Sequence, residues 1–148
     1  MYEVVLSIHN VMRWVVLVLA ILAVVRAFRG WLGRREWTPA DRRTGSFFAM
    51  TLDIQLLLGL LLYFVLSPIT TAALRDFGAA MRSVDMRFFA LEHALYMFLA
   101  VVFGHLGNAL PRRVEQAVAK HRRAAIWFGL AFLALLIGMP WMRPLLRF

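Results

Sequence analysis

Two histidines, His9 and His93, lie in separate apolar stretches and are the side chains best suited to chemistry. His9 and Arg13 are four residues apart and share one helical face. Tyr96 lies on the face of His93, and Glu92 lies beside that face. A polar side chain in hydrocarbon is costly unless it is paired, so each of these residues is a candidate functional group.

The two imidazoles are predicted to lie at the same depth in the membrane, as the two axial ligands of one haem must. With the helical rise of 1.5 Å per residue, His9 lies about 10 Å and His93 about 7 Å outward of the middle of its stretch. The two stretches run parallel, so both imidazoles reach the same level of the outer leaflet. Neutral imidazoles on two helices can bind the iron of one non-covalent haem b from both sides. We therefore predict His9 and His93 as metal ligands.

Neighbouring residues complete the predicted cofactor site. Arg13 could pair with a haem propionate, and Glu92 or a backbone carbonyl could orient an imidazole. The aromatic side chains of Trp14, Tyr96 and Phe89 would pack against the ring. The bundle would then transfer electrons through one haem. Any enzyme activity would be oxidoreduction within a larger complex, not catalysis by this chain alone.

Two other interpretations of the polar residues stay open. His9 and His93 could only hydrogen-bond inside the bundle while Arg13 and Glu92 form a buried ion pair. The chain would then be a cofactor-free structural or accessory subunit of a larger membrane complex. A transporter or proton pathway is the other alternative, but the sequence has no internal repeat of the kind that secondary transporters show.

The remaining polar residues have simpler interpretations. Asp53 and Gln55 are expected to be an interhelical hydrogen-bond pair, because polar side chains join membrane helices. A proton-carrying role for Asp53 with His105 is the alternative. His105 is expected near a helix end, with its ring reaching toward the interface. His121 is expected in the cytoplasmic loop, although residues 112–123 are also compatible with a helix that extends the fourth span into the cytoplasm.

The composition requires a membrane around these residues. Of 148 residues, 62% are hydrophobic, and the mean hydropathy is +0.72. A soluble domain of this size could not bury such an excess. Cysteine is absent, which excludes disulfides, thiolate metal sites and iron–sulfur clusters. Stretches of roughly twenty apolar residues, enough to cross a bilayer, predict a single all-α domain over 1–148, with spans at about 4–28, 47–66, 88–106 and 124–141.

The cations predict the orientation of the four-helix bundle. Six arginines lie between residues 26 and 43, and four arginines and Lys120 lie between residues 112 and 123. The positive-inside rule places these loops in the cytoplasm and both termini outside, in a bacterial inner membrane. The net charge of +9 is thus assigned to topology and not to nucleic acid. Expected partners are the lipid bilayer and a redox protein or larger membrane complex, and a homo-oligomer is compatible with the sequence.

Two flanking segments carry local signals. Leu74, Phe77, Met81 and Val84 recur at helical spacing and predict a short amphipathic helix in the outer loop. At the other side, the order of Thr38, Pro39 and Asp41 is typical of a helix start.

The chain resembles small bacterial four-helix membrane proteins described as cytochrome b or cytochrome-b-like. The resemblance lies in SIHNVMRWVVL, DIQLLLGLLLYF, RFFALEHALYM and the final MPW. It implies a non-covalent haem b, electron transfer, and His9 and His93 as the axial pair. Larger bundles of this type usually carry two haems, but His105 has no predicted partner histidine at its depth. The resemblance therefore implies one haem here, which would serve one side of the membrane or meet partner cofactors.

Overall fold

A computed structural model of the chain describes residues 1–141, which are almost entirely helical. Four helical segments are long and apolar enough to cross a membrane, which confirms the predicted all-α bundle of four spans. The chain is thus a multi-pass membrane protein by the length and composition of its helices. The helices are α1 (Tyr2–Leu32), α2 (Pro39–Leu61), α3 (Pro68–Arg75), α4 (Phe77–Ala80), α5 (Val84–Arg87), α6 (His93–Ala109) and α7 (Ala117–Gly138).

Three irregular helical turns complete these elements. One π turn (Leu62–Leu66) extends α2, a second (Phe88–Glu92) leads into α6, and a 3₁₀ turn (Leu110–Arg113) follows α6. The spanning segments are therefore Tyr2–Leu32, Pro39–Leu66, Val84–Arg113 and Ala117–Gly138. The second begins eight residues before the predicted position 47, because Thr38 and Asp41 form a complete capping box around Pro39. This confirms the predicted helix start.

The four long helices form a square in which α1 and α6 occupy opposite corners. Helix α1 packs against α2 and α7, and α6 packs against the same two helices. We call the end with the 33–38 and 110–116 connections the basic end, and the other the distal end. Groups on α1 and α6 at equal depth therefore face each other across the bundle interior.

The packed core fills the basic half of the bundle. Phe48 and Phe128 meet edge to face at its centre, with ring centroids 5.6 Å apart. A Cβ added to Gly107 would collide with Phe128, so this glycine allows α6 to approach α7 closely. The other core positions are mostly alanines, which allow close helix packing; they include Ala20, Ala23, Ala100, Ala124 and Ala131.

In the distal half, three of the four long helices, α1, α2 and α6, lack buried residues. No residue in 1–15 of α1, 53–61 of α2 or 91–99 of α6 is buried in the described structure. The next positions toward the basic end, Val16, Leu52 and Ala100, are almost completely buried. On these three helices the buried positions thus stop at one level, whereas α7 and its C-cap residue keep buried apolar side chains in the distal half, including Leu135 and Met139.

The distal loop is helical, as predicted, but it is divided into the three short helices α3, α4 and α5. Side chains of Asp76 and Ser83 cap the second and third of these, so the chain turns where one continuous helix was predicted. The buried residues of this segment include Ala73 and Ala80, which pack with Ala90, whereas Leu74, Phe77 and Val84 are exposed. The small residues therefore form the packed face with Met81 against it, and the other three large apolar residues of the prediction are exposed.

The two π turns are bonded to each other at the distal end. The Tyr63 hydroxyl of the first donates to the Ala90 carbonyl of the second at 2.6 Å. Thr70 of α3 donates to the Tyr63 carbonyl at 2.8 Å, since the wide π turn leaves carbonyls unpaired. A π turn has one more residue than an α-helical turn, so the second π turn (Phe88–Glu92) rotates the start of α6 about the helix axis. This rotation sets the direction of the His93 side chain, because His93 is the first residue of α6.

His121 is not a loop residue, contrary to the prediction. It lies in α7 and is 1% exposed, against Gly30 of α1. Its Nε2–H donates to the Glu36 carbonyl at 3.2 Å, and its ring lies 4.8 Å from that of Trp37. The flanking arginines suggested a loop, but the first turns of α7 pack against α1 and its following connection. His121 therefore joins three parts of the basic end.

Candidate functional site

The two histidines predicted as haem ligands both lie in the distal half of the bundle. His9 on α1 and His93 on α6 occupy opposite corners of the square, and both are partly buried. They are eighty-four positions apart in sequence.

His93 is held by the end of α7. Its Nδ1–H donates to the Gly138 carbonyl at 2.7 Å, which leaves Nε2 as the ring nitrogen with a lone pair. A Cβ at Gly138 would lie 2.6 Å from Tyr96 Cβ, so the absence of a side chain allows this close approach. A backbone carbonyl, one of the two predicted partners, therefore orients the imidazole. A bond of this kind is the usual outer support of a metal-bound histidine.

The Gly138 carbonyl is available because α7 stops there. Pro140 has no N–H to offer to the Leu136 carbonyl, and the Trp141 indole N–H donates to that carbonyl at 2.8 Å. Met139 already has an extended backbone, so the helix does not continue past Gly138. The MPW sequence thus ends the helix at the residue that orients His93.

His9 is held by α2. The Gln55 side-chain nitrogen donates to the His9 carbonyl at 3.0 Å and lies 3.2 Å from His9 Nε2. An amide nitrogen only donates, so Nε2 accepts and Nδ1 carries the proton. Gly59, one turn farther along α2, approaches the same imidazole: an added Cβ would lie 3.5 Å from His9 Cε1. Gln55 and Gly59 therefore present one face of α2 to His9.

His9 and Gln55 each have one buried polar atom without a hydrogen bond. His9 Nδ1 and Gln55 Oε1 are both buried without a partner among the described residues. Buried polar atoms in folded proteins are nearly always satisfied by protein, by water or by a ligand. One is a donor and the other an acceptor, so this half of the bundle has unmet capacity to bind a polar group.

Of the predicted aromatic residues, Phe89 lies near His93, as does Phe88, and Trp14 lies beside Arg13. The Arg13 guanidinium carbon lies 5.8 Å from the centroid of the adjacent Trp14 ring, which is 37% exposed. Ring centroids of Phe88 and Phe89 each lie 6.0 Å from that of His93. The site thus has a cation beside aromatic surface, as a flat macrocycle with carboxylates would need.

Glu92 has a different partner from the one predicted. Its carboxylate pairs with Arg87 at 2.8 Å, and both side chains are more than a third exposed. Because it pairs with Arg87, this carboxylate neither orients the imidazole nor forms the predicted buried lock with Arg13. Its contribution is a local ion pair at the start of the third span.

Asp53 and Gln55 do not bond to each other. Each bonds to another helix: Gln55 to α1, as above, and Asp53 to His105 of α6, with 2.7 Å between Oδ1 and Nε2. Residues that are two positions apart on an α-helix point about 200° apart, at about 100° per residue. Asp53 and Gln55 therefore reach different neighbouring helices. The expectation that these residues join helices is confirmed, but the pairing is different. His105 does not reach toward the interface.

The Asp53–His105 pair lies on the outer surface of the bundle. Both side chains are 48% exposed, at a level of the spans where lipid surrounds the protein. Hydrogen bonds between membrane helices contribute about 0.6 kcal/mol on average, with a maximum near 1.7. The pair therefore joins α2 and α6, and it does so where each partner alone would be poorly solvated.

We expect Asp53→Leu and His105→Leu to destabilise the bundle singly by about 1 kcal/mol each, because each leaves its partner unpaired in hydrocarbon. The double variant is expected to return to the stability of the unaltered protein or above it, since no polar group is then left behind. The measurement is the thermal midpoint in detergent for all four proteins. Strict additivity of the two losses would contradict the pairing.

Other metal chemistry finds no support in the described part of the chain. No group of three or more His, Cys, Asp or Glu side chains there could hold a metal ion. A metal ion bound by protein side chains alone needs such a group. A haem supplies four nitrogen ligands itself and needs at most two axial ligands from the protein. The donor set of His9 and His93 is therefore consistent with a haem and not with a bare zinc or copper ion.

Comparison of the chain with models of protein families, with curated proteins and with solved structures gives no match. The resemblance to cytochrome-b-like proteins therefore stays a prediction.

Proposed function

We propose that the chain is a membrane electron-transfer protein that holds one non-covalent haem b between α1 and α6. The observation that carries the proposal is the placement of His9 and His93 on opposite corners of the bundle, at a level where α1, α2 and α6 have no buried residue. Haem sites in helical bundles are built from side chains on facing helices in this way. When bound, the haem supplies one-electron redox chemistry.

The residues of the chain have separate roles in this proposal. His93 is preset as a ligand, because the Gly138 carbonyl takes its Nδ1 proton and leaves Nε2 free to bind iron. His9 is the second ligand and must exchange its contact with Gln55 for the bond to iron. Arg13 balances a propionate, and Trp14 and Tyr96 cover the ring.

The basic end supports an orientation for this site. Arginine-rich connections are retained in the cytoplasm, so the distal end and both termini would face outward from a bacterial inner membrane. The haem would then lie in the outer leaflet and exchange electrons with a redox partner or a larger membrane complex on that side.

The experiment is a spectrum of the purified protein. After expression with ample haem, we expect a reduced-minus-oxidised difference spectrum of the b type, one haem per chain by extraction, and complete release of haem into acidified organic solvent. A folded, monodisperse protein that shows no haem band, even after reconstitution with haem, would overturn the proposal.

A cofactor-free accessory subunit is the second candidate. It is favoured by the bonds of Gln55 to His9 and of His93 to Gly138, which join helices without any cofactor. The half-exposed Asp53–His105 pair would suit a surface covered by another subunit. This candidate predicts co-purification with larger subunits and a colourless protein, so the same spectrum separates the two.

A further inference from the structure

A cavity of about 740 Å³ opens at the basic end of the bundle. It lies between the start of α2, the end of α6 with its 3₁₀ turn, and the first half of α7. Its size is within the range of small-molecule sites in proteins. It is on the opposite half of the bundle from the proposed haem, so nothing in that proposal accounts for it.

The cavity has a cationic rim and an apolar wall. Arg42, Arg43, Arg112 and Lys120 form the rim. Phe47 belongs to the wall, five residues beyond Arg42 along α2, and therefore about 7.5 Å deeper in the bundle. This side chain is 53% exposed, so the wall continues onto the outer surface of the protein. The polar and apolar zones are thus arranged along the direction in which a bilayer changes from headgroups to hydrocarbon.

The positive charge of the rim is not neutralised within the cavity. Asp41 is the one carboxylate among the described lining residues, and it is already paired with Arg26 at 2.8 Å and hydrogen-bonded by Thr38. Within residues 1–141, none of the four rim cations forms an ion pair. The rim is therefore open to an external anion.

A neutral polar pair lies among the lining residues. The Ser46 hydroxyl donates to the Asn108 side-chain oxygen at 3.3 Å. That bond leaves the Asn108 amide nitrogen to donate elsewhere. A ligand here would thus meet four cations and one neutral donor at the polar end and aromatic side chains below.

We propose that this cavity binds the headgroup of an anionic phospholipid, with an acyl chain lying along Phe47. Phosphate is the anion that arginine recognises best, through paired N–H donors. Basic pockets between spanning helices at a membrane surface suit such headgroups. A free phosphate ion would satisfy the rim but would leave the apolar wall unused, which favours the lipid.

The experiment uses the full chain, delipidated in a neutral detergent. Phosphatidylglycerol and phosphatidylcholine with identical acyl chains are added in turn, and binding is followed by the thermal midpoint and by native mass spectrometry. We expect phosphatidylglycerol to bind at least tenfold more tightly. Arg42→Gln with Arg112→Gln is expected to remove most of this preference, whereas Arg42→Lys with Arg112→Lys keeps much of it.

The matched control removes the same charge elsewhere. Arg75→Gln with Arg82→Gln changes two arginines of the distal loop and should leave the preference unchanged. Equal binding of both lipids, or an equal loss in this control, would overturn the proposal. Full competition by inorganic phosphate at millimolar concentration would also overturn it, because the site would then be one for a free anion. If the double glutamine variant fails to fold, Lys120→Gln gives the same comparison with one charge.

Discussion

His93→Ala is expected to abolish the haem spectrum of the purified protein, and His9→Ala is expected to abolish it or convert it to that of a weakly held, five-coordinate haem. The difference follows from the structure. His93 is preset by the Gly138 carbonyl, whereas His9 must first leave Gln55. We therefore expect His93 to hold the iron when His9 is lost. Haem content per chain and the reduced-minus-oxidised spectrum measure both effects.

Gln55→Leu distinguishes a haem-binding role of His9 from a purely structural role of the Gln55–His9 hydrogen bond. If the Gln55–His9 bond exists to join α1 and α2, its loss should lower the thermal midpoint and change nothing else. If His9 binds iron, the amide competes for the same lone pair, so its removal should leave the haem in place and slow its loss to a haem acceptor. Faster haem loss in this variant would contradict the role of His9.

His105→Ala is the matched control for these variants. It removes a histidine from the same helix as His93, twelve residues along, and its partner is Asp53 on the outer surface. The haem content should stay unchanged. Loss of haem in this variant, with retention in His93→Ala, would move the site to the other half of the bundle. Size-exclusion profiles and helical content of every variant exclude misfolding as the cause.

Much of this arrangement could be predicted from the sequence, because the physics behind it is local. Four apolar stretches of membrane length give the four spans, and the capping box at Thr38 and Asp41 gives the start of α2. The matched depth of His9 and His93 needs only the rise per residue and the parallel direction of two spans. Their placement on opposite corners needs the packing order of the helices, which the sequence does not state.

The errors arose where rotation about a helix axis decides the contact. Glu92 pairs with Arg87 five residues earlier, through a π turn that no periodicity in the sequence indicated. The error at Asp53 and Gln55 has another cause. Their spacing of two residues on one helix already excluded a bond between them. The distal loop was predicted from its large apolar residues, but Ala73 and Ala80 form its buried face because three short helices pack closely there.

Gly30→Ala is expected to have the largest effect on stability, a loss of about 3 kcal/mol. A Cβ at this position would overlap the imidazole of His121, whose ring fills the space between α1 and the following connection. The ring cannot retreat, because Trp37 lies against it and the Glu36 carbonyl holds its Nε2–H. Either the helices separate or His121 loses its bond, and both outcomes cost a buried contact. The thermal midpoint in detergent, or the denaturant midpoint in micelles, measures the loss.

A second substitution tests the mechanism. In Gly30→Ala with His121→Ala, the methyl group no longer meets a ring, so the double variant should be more stable than the sum of the two single losses predicts. Gly129→Ala is the control, since its Cβ would meet only Phe28 at an ordinary 3.8 Å. There, alanine should stabilise α7 by roughly 0.5 kcal/mol through helix propensity. Similar losses for Gly30→Ala and Gly129→Ala would mean that α1 does not approach His121 as described, and that the basic end is held together by its other contacts.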